Sequence, residues 1–121
     1  MNNKRTLVIG ASENPERYSN MAIQSLRNHG YEVTALAKRE GFVSDVAIQT
    51  DFPATEYFHT VTMYVGPQRQ DEYFDQLLKL KPERVIFNPG TENFELEELL
   101  ERNGIETIEG CTLVMLNTGQ Y

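Results

Sequence analysis

Small and charged residues follow the first apolar run of the chain, and their types suit contact with a phosphate. The run Thr6–Ile9 ends in Gly10-Ala11-Ser12, and Arg17 and Ser19 come soon after. A glycine followed by small residues lets the backbone approach a ligand, while the next helix directs free amides and its positive dipole end at the same place. We predict that this loop binds a diphosphate. The alternative is a plain strand-to-helix loop in which Ser19 caps the helix.

The end of the second predicted strand carries cations at a position where many nucleotide-binding chains carry a carboxylate. Chains that bind NAD usually place an acidic residue there for the ribose hydroxyls, whereas this chain has Ala37-Lys38-Arg39. Two cations favour a ribose with an additional phosphate, and both NADP and coenzyme A meet that description. The alternative is that Lys38 and Arg39 are solvated surface residues.

Few residues of the chain are suited to catalysis. Its two histidines, His29 and His59, fall at a predicted helix end and just before a strand, where structural roles are usual. The sequence has no serine-elbow or P-loop pattern and no convincing metal-ligand spacing. Cys111 follows the last predicted strand, as either a thiol near a bound thioester or a small buried apolar residue. We predict no catalytic residue and no metal, and we favour a role without catalysis.

An alternation of strands and helices is needed to bring these residues together. Apolar runs predict strands at 6–9, 31–36, 60–65, 84–87 and 105–108, and amphipathic patterns predict helices at 20–29, 70–80 and 92–103. The short connections predict a three-layer α/β fold with a five-stranded, mostly parallel sheet. Residues 40–59 are the least regular, and we expect Phe42-Val43 and Val46-Ala47-Ile48 to form a short excursion on the sheet edge.

In a parallel sheet, a ligand binds outside the carboxyl ends of the strands, where the strand order reverses. The loops at those predicted ends are Gly10-Ala11-Ser12, Ala37-Lys38-Arg39, Gly66-Pro67, Asn88-Pro89-Gly90 and Gly110-Cys111. The phosphate loop and the basic strand end are therefore expected to face the same crevice.

Length and charge limit the function classes further. The 121 residues fit one domain over 1–121, and the net charge of −7 argues against binding duplex nucleic acid or an anionic membrane surface. No window approaches the roughly 18 consecutive apolar residues of a membrane span, and the N-terminal apolar run is too short for a secretory signal. The single Cys111 excludes an internal disulfide. We expect a cytoplasmic protein that binds a small nucleotide ligand.

The segment Val8–Ser19, VIGASENPERYS, resembles the opening motif of the small bacterial CoA-binding proteins. These proteins share a Rossmann-like domain with the N-terminal part of the succinate–CoA ligase alpha subunit. The likeness continues through His29–Val33 and Lys38 and resumes near Gly104 and Cys111, so it spans most of residues 5–116. It implies a Rossmann-like fold that binds coenzyme A or an acyl-CoA, without the phosphorylated histidine and the nucleotide-grasping domain of the ligase.

The resemblance also implies roles for individual residues. The residues that would hold the diphosphate are Gly10, Ala11, Ser12, Asn14, Arg17 and Ser19. Lys38 would meet the phosphorylated ribose. The adenine would be bordered by Val65, Gly66 and Pro67, and the cleft near the pantetheine arm would be lined by Asn88, Pro89 and Gly90. The chain departs from the family pattern at Leu36-Ala37, after Val65, at Asn88 and at Thr112.

Two other functions stay open at this point. An NADP-binding oxidoreductase fragment or redox sensor would use the same first loop and the same basic strand end. A protein-interaction module with a decayed pocket would use the apolar residues Leu113, Val114 and Met115 as an interaction surface or dimer contact. A homodimer and an unidentified protein partner are both compatible with the sequence.

Overall fold

Short apolar runs form the strands of the structure, and amphipathic segments form the helices that cover them. The computed structural model describes residues 4–121. Its strands are β1 (Thr6–Ile9), β2 (Val33–Leu36), β3 (Gly41–Val43), β4 (Val46–Gln49), β5 (Thr60–Met63), β6 (Arg84–Phe87) and β7 (Glu106–Glu109). Its α-helices are α1 (Tyr18–Asn28), α2 (Phe74–Leu80), α3 (Phe94–Arg102) and α4 (Thr112–Asn117). Two 3₁₀ turns, Pro67–Arg69 and Asp71–Tyr73, lie between β5 and α2.

The strands form one sheet in the order β3-β4-β2-β1-β5-β6-β7, and all neighbours are parallel except β3 and β4. The expected α/β class with a mostly parallel sheet is confirmed. From β1 the chain adds β2 on one side, and after β3 and β4 it returns to add β5 on the other side. The strand order therefore reverses at β1, which is where a crevice is expected in folds of this kind.

The sheet has seven strands within residues 4–121, so the prediction of five strands was wrong. The two additional strands come from the segment that was expected to be an excursion on the sheet edge. Ile48 of β4 pairs with Ala35 of β2, and β3 folds back antiparallel onto β4. Val43 and Val46 are buried by this hairpin. These strands have only three and four residues, and their pairing with β2 decides their conformation more than local propensity does.

Alternate residues of the strands enter two separate apolar clusters. Leu7 and Ile9 face the side of the sheet that packs on Leu77 of α2 and Leu100 of α3. Val8 faces the other side, where it joins Leu26 of α1 and Leu116 of α4. The four residues of β1 are completely buried, as expected for a central strand covered on both faces. Among residues 4–121, no helix combines the length and the apolar character needed to cross a membrane.

Candidate functional site

A groove of about 890 Å³ opens at the carboxyl end of β1, between the ends of β2 and β5. Its volume falls within the range of roughly 300–1,000 Å³ that is usual for small-molecule sites. The predicted site residues that line it are Gly10, Ala11, Ser12, Asn14, Arg17, Ser19, Lys38 and Val65. The structure therefore brings the first loop and the basic strand end to one concave surface.

The other predicted site residues lie outside the lining of this groove. Gly66 and Pro67 lead into the first 3₁₀ turn. Asn88 is buried after β6, whereas Pro89 and Gly90 are exposed in the loop that follows it. Their contact with adenine or with a pantetheine arm stays a prediction.

Gly10 is required by the close approach of β1 to the end of β5. Its φ is +97°, and an added Cβ would lie 3.0 Å from the carbonyl carbon of Tyr64 and 3.0 Å from Cγ2 of Val65. The N–H groups of Gly10 and Ala11 both donate to the carbonyl of Leu36, at 2.9 and 3.1 Å. These two amides therefore stabilise the junction of β1 and β2 and do not turn towards the groove.

Side chains within the loop fix its shape. The Asn14 N–H donates to Ser12 Oγ at 3.1 Å, and the Glu16 N–H donates to Asn14 Oδ1 at 2.9 Å. Asn20, which is 3% exposed, donates from Nδ2 to the Ser12 carbonyl at 2.9 Å. Sequence reasoning missed Asn20. Asn20 is the first residue of the predicted helix, where asparagine is common, so no signal in the sequence indicated this contact.

The N-terminus of α1 lies beside this loop. The alternative in which Ser19 caps the helix was wrong, because α1 begins at Tyr18 and Arg17 occupies the cap position. Within the described residues, no side chain accepts from the first amides of α1, and no acidic residue lies in its first turn. In contrast, Asn93 caps α3 by accepting the Leu96 N–H at 3.2 Å. The start of α1 therefore leaves amides and the positive end of the helix dipole for an anion in the groove.

Four cations and four carboxylates line the groove, so it is less basic than the sequence suggests. The cations in its lining are Arg17, Lys38, Arg39 and Arg69, and the carboxylates are Glu13, Glu40, Asp71 and Glu72. Lys38 Nζ donates to Glu72 Oε1 and lies 5.8 Å from the centroid of the Tyr73 ring. The hydrogen bond to Glu72 raises the pKa of Lys38 above its ordinary value.

Sequence reasoning also missed the segment Gln68–Tyr73, which supplies one wall of the groove. Gln70 fixes this segment, since its completely buried Nε2 donates to the carbonyls of Val65 and Thr91 at 2.8 Å each. Tyr73 is mostly buried beside it, and burial raises the pKa of its hydroxyl. The sequence predicted a continuous helix from residue 70, and only the two 3₁₀ turns bring Glu72 and Tyr73 towards Lys38.

Glu13 connects the first loop to the outermost strand. Its Oε2 accepts the Phe42 N–H at 2.9 Å. A Cβ on Gly41 would lie only 2.3 Å from Glu13 Cδ, so the glycine provides the space that the carboxylate occupies. The loop at the end of β1 is therefore held by two elements, by α1 through Asn20 and by β3 through Glu13.

Cys111 is half-buried just before α4 and is not part of the groove lining. The nearby Tyr64 has a buried hydroxyl, and burial raises the pKa of this phenol. Neither residue contributes to the chemistry of the groove as the structure presents it.

Known structures resemble this chain over nearly its full length. A crystal structure of an uncharacterised protein is 47% identical, with a TM-score of 0.94 over 98% of this chain and 98% of that chain. A hypothetical protein from Pyrococcus horikoshii OT3 is 25% identical, with a TM-score of 0.85 over 95% of this chain and 82% of that chain. An acetyl-coenzyme A synthetase from Ca. Korarchaeum cryptofilum, in complex with phosphate and ADP, is 15% identical. Its TM-score of 0.74 covers 90% of this chain but 26% of that chain, which is a likeness of fold alone. No curated protein matched the chain.

The match to a family model is more specific than these likenesses of fold. The model of the CoA binding domain matches residues 4–117 of the 121. This range contains every residue that lines the groove. The chain therefore belongs to the CoA binding domain family.

Proposed function

We propose that the groove at the carboxyl end of β1 binds coenzyme A, free or acylated, and that the protein acts by binding this ligand rather than by transforming it. The observation that supports this proposal is the convergence of the first loop, the uncapped start of α1 and Lys38 on one groove. Membership of the CoA binding domain family favours coenzyme A over other ligands that carry a phosphorylated adenosine, such as NADP.

The diphosphate is assigned to the junction of the first loop and α1. Ser12 and Asn14 line the groove there, and Arg17 stands at the helix start. The amides of Gly10 and Ala11 already donate to Leu36, and the amides of Asn14, Glu16 and Arg17 donate to acceptors within the loop. The donors for an anion are therefore the amides of Ser12 and Glu13 and those of the first turn of α1. Charge-assisted hydrogen bonds from Arg17 would add to these neutral donors.

The phosphorylated ribose is assigned to the end of β2, where Lys38 and Arg39 line the groove. Val65 borders the groove on the other side of β1 and supplies apolar surface for the adenine. The pantetheine arm would then leave towards the exposed Pro89 and Gly90. The Asn88 side chain makes only internal contacts in this proposal, because its amide already bonds Thr62, Met63 and Thr112.

Isothermal titration calorimetry of the purified protein tests the proposal. Coenzyme A, acetyl-CoA and NADPH are titrated separately, and NADPH is then competed against bound coenzyme A. Saturable binding of coenzyme A, with weaker binding of NADPH, supports the proposal. Binding of NADPH alone would favour the oxidoreductase or redox-sensor reading, and no binding of either ligand would contradict a nucleotide site.

A matched pair of variants places the ligand. Ser12→Asp adds a carboxylate at the diphosphate position and keeps an oxygen that can accept the Asn14 N–H. Ser44→Asp makes the same substitution in the exposed turn between β3 and β4, away from the groove. We expect Ser12→Asp to weaken coenzyme A binding at least about tenfold, through repulsion of like charges, and Ser44→Asp to leave it unchanged. Equal affinities of the two variants would place the ligand elsewhere.

A further inference from the structure

An ion pair spans the groove above the end of β1. Lys38 follows β2, whereas Glu72 lies in the second 3₁₀ turn after β5, and these two strands flank β1 on opposite sides. Lys38 Nζ donates to Glu72 Oε1, and the Tyr73 ring lies 5.8 Å from the same nitrogen. Both charged side chains are substantially exposed, at 75% for Lys38 and 48% for Glu72, so the pair can open without unfolding the protein.

This pair sets two anions in competition for one cation. A ribose phosphate that approaches Lys38 must share its ammonium group with the Glu72 carboxylate or displace that carboxylate, and in either case the carboxylate remains in the same groove as the phosphate. A ligand without that phosphate leaves the ion pair intact. The ion pair therefore opposes only the phosphorylated form of the ligand.

We propose that Glu72 is a specificity-determining residue of the groove, which lowers its preference for a phosphorylated ribose over an unmodified one. This inference rests on the proposed function, since it concerns which carriers of adenosine diphosphate the same site accepts. Glu72 has this effect through direct contact with Lys38. The other carboxylates of the lining have different positions, as Glu13 accepts the Phe42 N–H at the far side of the first loop.

The test compares coenzyme A with dephospho-CoA, which differ in the ribose phosphate alone. Both ligands are titrated by calorimetry into the natural protein and into Glu72→Gln, which removes the charge and keeps the shape. We expect Glu72→Gln to strengthen coenzyme A binding about three- to tenfold and to change dephospho-CoA binding less than about twofold. The increase in coenzyme A affinity should become smaller as salt is added, because the side chains of Lys38 and Glu72 are exposed and salt screens their charges.

Asp71→Asn is the matched control, since it removes a neighbouring carboxylate from the same lining without removing the partner of Lys38. Asp71→Asn should change the affinities for coenzyme A and dephospho-CoA by the same factor. A double-mutant cycle with Lys38→Gln adds a second measurement: in that background, Glu72→Gln should change the ratio of the two affinities less than it does when Lys38 is present.

The outcomes separate this inference from the proposed function. If coenzyme A binds but Glu72→Gln and Asp71→Asn shift the affinity ratio equally, Glu72 has no special role and the binding function stands. If neither the natural protein nor Glu72→Gln binds coenzyme A, both proposals are wrong. If only Glu72→Gln binds coenzyme A, the competition is stronger than expected and the inference is supported.

Discussion

The side-chain amide of Asn88 joins the end of β6 to the first residue of α4. Its Oδ1 accepts the Thr112 N–H at 2.9 Å, while its Nδ2 donates to Thr62 Oγ1 at 2.7 Å and to the Met63 carbonyl at 2.9 Å. Asn88 is 2% exposed, so these bonds replace the water that its polar atoms lose on folding. A residue that the family resemblance assigns to the ligand cleft thus has a structural role in this chain.

Asn88→Ala should destabilise the protein by about 2–4 kcal/mol, because it leaves several buried polar groups without partners. The measurement is the free energy of unfolding from urea titration. Asn103→Ala is the control, because Asn103 is exposed and its Nδ2 makes one bond to the Leu99 carbonyl. We expect Asn103→Ala to lower the free energy of unfolding by less than about 1 kcal/mol. Similar losses in the two variants would show that the Asn88 network contributes little.

Gly10→Ala should destabilise the protein more than Gly104→Ala, by about 1–3 kcal/mol. Both glycines have positive φ, +97° and +79°, so both substitutions strain the backbone. Only at Gly10 would the new Cβ also meet backbone and side-chain atoms at 3.0 Å, whereas Gly104 has open space. Chemical unfolding of the two variants gives the difference. Equal losses would mean that the β1–β5 junction relaxes around the additional methyl group.

Lys38→Gln should reduce the binding free energy of coenzyme A by about 1–2 kcal/mol more than that of dephospho-CoA, because a charge-assisted contact to the ribose phosphate is lost. Calorimetric titration of the two ligands measures the difference. Lys79→Gln is the control, since Lys79 is an exposed lysine on α2 that does not line the groove. If Lys38→Gln weakened both ligands to the same extent, Lys38 would not contact the ribose phosphate.

His59 should make the protein less stable in mild acid. Burial lowers the pKa of His59 below its ordinary value of 6.5, and this effect outweighs the attraction of Glu83 for the protonated ring. The unfolded chain therefore binds the proton more readily, so stability is lost as the pH falls below about 6.5. Urea unfolding of the natural protein and of His59→Asn, from about pH 7.5 to about pH 5.5, tests this sign.

The asparagine can still bond Thr60 Oγ1 but cannot titrate. We expect the stability advantage of the natural protein over His59→Asn to decrease as the pH falls through this range. An advantage that stayed constant or increased would show that the folded protein protonates His59 as readily as the unfolded chain does.

The central strands could be predicted because a continuous apolar run indicates a strand that is buried on both faces. The runs Thr6–Ile9 and Arg84–Phe87 match β1 and β6 residue for residue, since an apolar run covered on both faces needs little information from elsewhere in the chain. The same reasoning predicted that the loop after β1 and the basic end of β2 lie beside one groove. Their meeting at one edge is a property of parallel sheets.

The rest of the site depends on contacts between distant residues, which local patterns do not reveal. The hairpin β3–β4 exists because Ile48 finds a partner in Ala35, and the wall formed by Gln68–Tyr73 exists because buried Gln70 bonds Val65 and Thr91. The pairing of Lys38 with Glu72 joins residues 34 positions apart. No periodicity within either segment indicates that the other will lie beside it.

The bonds that hold the first loop have a consequence for the rate and strength of binding. Asn20 donates a hydrogen bond to the Ser12 carbonyl, and the Asn14 N–H donates to Ser12 Oγ. The Phe42 N–H donates to the carboxylate of Glu13. The backbone between β1 and α1 is thus preorganised before any anion arrives. A ligand that settles there need not order the loop, so little conformational entropy is lost and association needs no slow rearrangement.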